Sequence, residues 1–149
     1  MKAKTRVLML LLATCWAAQA SAQSTVGELL SQGGKAMTKA DFMEWIPARV
    51  KMKWPNRQGE EDLVLSADGT ISGTGQHYSS RTESPAVGQW RLEDDGKLCT
   101  PKTFTAWNNS ANNCWYVFRL GDVFYAAQKT DVDGRVGKID SLTKAETRP

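Results

Sequence analysis

Tight-turn dipeptides set between short alternating segments constrain this chain more than any other feature. Asp68-Gly69, Asp95-Gly96, Gly121-Asp122 and Asp133-Gly134 recur between residues 68 and 134. Glycine and aspartate tolerate the positive φ of hairpin turns, so such pairs join antiparallel neighbours. The segments between them alternate. Val50, Met52 and Trp54 interleave with Arg49, Lys51 and Lys53, which predicts a half-buried strand with a basic outer face. Residues 62–66 and 70–78 read as a hairpin through Asp68-Gly69. Residues 88–92, 97–100, 114–120, 123–128 and 136–139 read as further strands. Residues 82–86 around Pro85 and the asparagine-rich stretch 105–113 read as loops. The expectation is a mainly β domain over 48–142 with seven or eight short strands. They would form an antiparallel meander, either a small barrel or a curved sheet. Residues 143–149 read as a frayed tail.

Ahead of the strands the spacing changes. Val26, Leu29 and Leu30 sit at helical intervals, and Gly33-Gly34 ends that segment. Thr38 reads as an N-cap with Asp41 three residues on, in a weak capping-box position. Phe42, Trp45 and Ile46 then share one face, and Pro47 stops the run. Residues 23–47 are therefore expected to hold one or two short helices.

The first 22 residues read as an export signal. Lys2, Lys4 and Arg6 precede an apolar stretch from 7 to 13, and Ala20-Ser21-Ala22 fits a cleavage site. The apolar stretch is short for a membrane span. A rival is lipidation of Cys15, which follows Leu12-Ala13-Thr14, so a periplasmic or secreted location has a lipid-anchored alternative. Nineteen basic residues face sixteen acidic ones in the whole chain. Removing Lys2, Lys4 and Arg6 leaves sixteen of each, and a neutral chain argues against nucleic acid as the main partner. Only Cys99 and Cys114 remain after cleavage. Export favours a disulfide between them, and the absence of Cys-x-x-Cys argues against redox chemistry.

Catalytic candidates are few. His77, beside Tyr78, Ser79 and Ser80, reads as a strand end facing water. Glu60-Glu61-Asp62 and Asp94-Asp95 read as solvated surface clusters, because paired-carboxylate chemistry needs groups held apart across a cleft. Asp131-x-Asp133-Gly134 lacks the later ligands of a calcium loop. No cofactor or metal is expected. Trp107, followed by Asn108 and Asn109, reads either as a cap folded onto the barrel or as an exposed anchor of the kind enriched in binding hot spots. In the strand 114–120, Tyr116, Phe118 and Leu120 share a face opposite Trp115 and Val117. A leading helix could cover one of those faces.

Asp68-Gly69-Thr70, Gly88-x-Trp90, Leu98-Cys99 and Cys114-Trp115 occur in that order after a helix and a strand. The pattern resembles a family of small exported proteobacterial proteins of unknown function. The resemblance spans about residues 38–139 and implies a lipocalin-like β fold, with no catalytic residue to carry over. The expected function is non-enzymatic binding of a small apolar ligand or envelope component, with Trp54, Trp90, Trp115 and Tyr125 as the lining residues. The second expectation is an interaction module, such as an inhibitor of an exported hydrolase, contacting its protein partner through Trp107, Asn108 and Asn109.

Overall fold

The computed structural model describes residues 24–146. Residues 1–22, where an export signal is expected, Cys15 among them, and residues 147–149 lie outside the described residues. Two short helices lead. In α1 (Val26–Ser31) the Thr25 hydroxyl accepts from the Glu28 N–H, while the Glu28 carboxylate accepts from the Thr25 N–H. In α2 (Lys39–Met43) Thr38 and Asp41 do the same at 3.1 and 2.9 Å. These reciprocal bonds satisfy end groups that a helix of one turn cannot pair internally. Helices this short are marginal alone. Each is held by its apolar residues: Val26 and Leu29 in α1 and Phe42 in α2 are buried. No helix among the described residues is long and apolar enough to cross a membrane.

A two-residue strand, β1 (Lys35–Ala36), separates the helices. The main sheet follows as β2 (Ala48–Lys53), β3 (Gly59–Leu65), β4 (Thr70–His77), β5 (Thr82–Gln89), β6 (Arg91–Leu92), β7 (Lys97–Phe104), β8 (Asn109–Leu120), β9 (Val123–Ala127), β10 (Val136–Ile139) and β11 (Ser141–Lys144). Every pairing is antiparallel. The path runs β10-β9-β8-β7-β5-β4-β3-β2-β11. Because β10 and β11 are separated only by Asp140, the last stretch of chain pairs with β9 at one end of the path and β2 at the other. The sheet thereby forms a nearly closed barrel, which leaves few free edges.

Alternation sorts the side chains. Inward positions build the main core from Val50, Leu63, Leu65, Ile71, Leu98, Trp115, Val117 and their neighbours. Phe42, Trp45 and Ile46 join this core, so α2 plugs one end of the barrel, and Trp45 meets Phe124 edge-on at 5.1 Å. A second cluster lies outside the wall. There Val26 and Leu29 of α1 cover Phe118, Tyr125 and Ala127, which explains why β8 is apolar on both faces.

Three segments differ from the sequence reading. Residues 82–86 belong to β5 despite Pro85. The Pro85 carbonyl accepts from the Thr105 N–H at 2.9 Å, so its nitrogen faces the β7 side, where regular pairing ends at Ala86–Phe104. The missing donor therefore breaks no ladder bond. The asparagine-rich stretch is strand from Asn109 onward. It pairs residue by residue with β7, and its turn spans only Thr105 to Asn108. Its polar residues face water, and the Thr103 and Ser110 hydroxyls meet across the ladder at 3.0 Å. Thr143 and Lys144 are not frayed, since they pair with Arg49 and Ala48 and so extend the β domain past residue 142.

Candidate functional site

The barrel end opposite α2 carries the turns β2–β3, β4–β5 and β7–β8. Here three half-buried rings converge. Trp54 follows β2, His77 ends β4, and Trp107 lies in the turn after β7. The His77 ring sits 4.7 Å from Trp54 and 4.7 Å from Trp107, between the two indoles. The indoles themselves are 6.0 Å apart and nearly perpendicular. Buried Phe104 packs against both, 6.0 Å from Trp54 and 5.2 Å from Trp107. Trp54 meets His77, Phe104 and Trp107 edge-to-face, and such pairs are worth about 0.5–1.5 kcal/mol each beyond the area they bury. Small residues admit the rings: a Cβ on Gly75 would lie 2.4 Å from Phe104, and one on Gly59 2.5 Å from Trp54.

Further inside is a polar layer. Lys102 Nζ lies 3.2 Å from Glu61 Oε2, with the lysine side chain 0 % and the glutamate 3 % exposed. The two atoms are close enough to attract but are not aligned for a hydrogen bond, so Glu61 Oε2 has no hydrogen-bond partner. Lys102 donates instead to Thr100 Oγ1 at 3.4 Å, and Thr100 donates to the Asn113 carbonyl. The ammonium also lies 5.8 Å from the Trp115 ring. Trp115 Nε1 is buried and unpartnered. A buried donor and a buried acceptor left unmade are costly, and each calls for an explanation.

The outer wall is ionic in a different way. Arg49 forks onto Asp62 with two 2.8 Å bonds, and these hold the Asp62 carboxyl below the usual carboxylate range. Glu60 is lowered mainly by the Tyr78 hydroxyl and further by Lys51. A depression of about 180 Å³ opens between Lys51, Glu60, Asp62, Thr74, Gln76 and Glu83. Another of about 430 Å³ lies where β5 leaves β7, beside Val87, Gln89, Pro101, Thr103, Ser110 and Asn112.

The residues singled out in the sequence are not all brought together. Trp54 lines the mouth and Trp115 lies inside the barrel. Trp90 packs at the α2 end, where its Nε1 donates to the Ser66 carbonyl at 2.8 Å. Tyr125 faces away from all three, beneath α1, so it cannot line an interior site with them. Trp107 caps the barrel, packed against Phe104 and His77, while Asn108 and Asn109 are exposed beside it. Cys99 and Cys114 are bonded and lie directly opposite one another across β7 and β8, with Cα atoms 4.1 Å apart.

Two surface assignments are corrected. His77 turns inward between indoles, and Glu61 is a core residue. Lys102 escaped notice altogether. All three are signalled by strand parity: Glu61 is in step with Leu63 and Leu65, His77 with Ile71, and Lys102 with Leu98 and Phe104. No family model, curated protein or solved structure matches the chain.

Proposed function

We propose that the protein is an exported, non-enzymatic binding module that takes a small apolar ligand at the aromatic mouth of its barrel. The observation that carries this reading is the placement of His77 between half-exposed Trp54 and Trp107, above buried Phe104. Aromatic rings offer a large contact area at small entropic cost. Rings fixed by their neighbours lose little freedom when a ligand arrives. The disulfide supports the same reading, because it ties together the two strands that present Trp107. The leader pattern and the disulfide together favour export.

The test is a titration with decanol, followed by tryptophan fluorescence. Binding should quench the wild type. Trp107→Ala should weaken binding at least tenfold, with far-ultraviolet dichroism unchanged. Trp90→Phe and Tyr125→Phe, at the other end and on the outer wall, should bind as wild type. Equal quenching in a Trp54→Phe/Trp107→Phe double variant would place the ligand elsewhere.

A further inference from the structure

We infer that the mouth selects anions, an apolar body bearing a carboxylate or phosphate, and that Arg57 and Arg81 on its rim hold the charge. The inference rests on the mouth being the binding site and names the class of ligand it takes. It starts from backbone geometry. Among the described residues, three that are not glycine have positive φ: Arg57 at 57°, Arg81 at 53° and Asn108 at 47°. All three lie in turns at the mouth. The turns at the α2 end meet the same requirement with Gly69, Gly96 and Gly121, at 87°, 86° and 58°. A side chain in this conformation crowds its own backbone, and glycine avoids the crowding. Asparagine tolerates the region; arginine has no such excuse.

The sites of these exceptions matter. Each ring of the mouth is followed within four residues by one of them: Trp54 by Arg57, His77 by Arg81 and Trp107 by Asn108. The tie is direct at Arg57, whose N–H donates to the Trp54 carbonyl at 2.8 Å. Both guanidinium groups are exposed, and neither has an ion-pair partner among the described residues. Of the other four described arginines, Arg49, Arg91 and Arg119 are paired with a carboxylate and Arg135 is not. Lys102 is engaged with Glu61 inside. Unpaired arginines in turns that adjoin an apolar platform suit a carboxylate or phosphate, which a guanidinium can grip with two parallel bonds. Strain retained at a surface where glycine would serve points to a use for the side chain.

The test compares decanoate, decyl phosphate and decanol as probes, each as monomer, by tryptophan fluorescence of the whole protein. Both anions should bind at least tenfold more tightly than decanol. Arg57→Gly and Arg81→Gly should each weaken anion binding fivefold or more, leave decanol binding unchanged, and leave the melting temperature equal or higher. Sedimentation with phosphatidylglycerol and phosphatidylcholine vesicles separates the sources of the ligand. Binding of the free anions assigns a soluble ligand. Arginine-dependent binding to phosphatidylglycerol vesicles alone assigns the anion to a lipid headgroup. Equal affinity for decanol and decanoate, or unchanged anion binding in both glycine variants, would overturn the inference and leave the apolar mouth standing. If no probe binds and no vesicle sediments the protein, both readings fail together.

Discussion

Glu61 and Lys102 occupy positions where Leu or Met would ordinarily sit, and the barrel is closed around them. Removing one partner strands the other charge away from water. Glu61→Gln should therefore cost about 3–5 kcal/mol, whereas Glu61→Leu with Lys102→Met should recover most of that loss or exceed it. Urea denaturation of both variants beside wild type checks this, and a double variant no more stable than Glu61→Gln would show that the pair itself stabilises the barrel. A second residue-scale prediction concerns Gly75. Alanine there must push Phe104 away from beneath the indoles, at a cost of about 1–3 kcal/mol read as a lower melting temperature. Such residues hide in a sequence for a simple reason. A charged side chain in a local stretch such as Glu60-Glu61-Asp62 looks solvated whichever way it points. Only the register of the whole strand shows that Glu61 points inward while both neighbours point out.

At the scale of elements, turns and caps were legible because they depend on neighbours in sequence. Thr38 caps α2 with Asp41, and Asp68-Gly69 turns β3 into β4, as their residues imply. Pro85 and the asparagines of β8 were misread because partners far along the chain overrule local preference. The same caps make stability depend on acid. Hydrogen bonds from Thr38 hold the Asp41 carboxyl below its ordinary range, those from Ser24 and Thr25 do so for Glu28, and Arg49 does so for Asp62. A carboxyl lowered in the folded state contributes stability that is complete above its unfolded value, about 4, and fades as pH falls through the lower folded value. The urea midpoint should hold level from pH 7 to about 5 and then drop. Asp62→Asn should show a smaller drop than wild type. The disulfide acts on the hairpin β7–β8: replacing Cys99 and Cys114 by alanine frees a loop of 15 residues and should cost about 3 kcal/mol in the same assay.

For the whole molecule, the mainly β class and the short leading helices follow from turn chemistry and spacing, but closure does not. Whether β2 meets the chain's last strand depends on accumulated twist, which no local pattern records. Deleting residues 141–146 should expose one edge of β2 and leave β10 without its continuation. Two open edges favour association, so size-exclusion chromatography should show higher oligomers or aggregate in place of the wild-type species. A truncated chain eluting like wild type would mean that the barrel is held by its core alone.

The pairing of Ser141 with Lys51 also sets a clock. β2 is the first strand of the barrel wall to leave the ribosome, and its outer partner is the last. Contacts between segments so distant in sequence form late, because the chain between them must first be brought to order. A growing chain thus carries an unsealed β2 margin until β11 has been made. The wall can shut only when residues 141–144 arrive, so more than ninety residues are made after β2 begins before its outer partner exists.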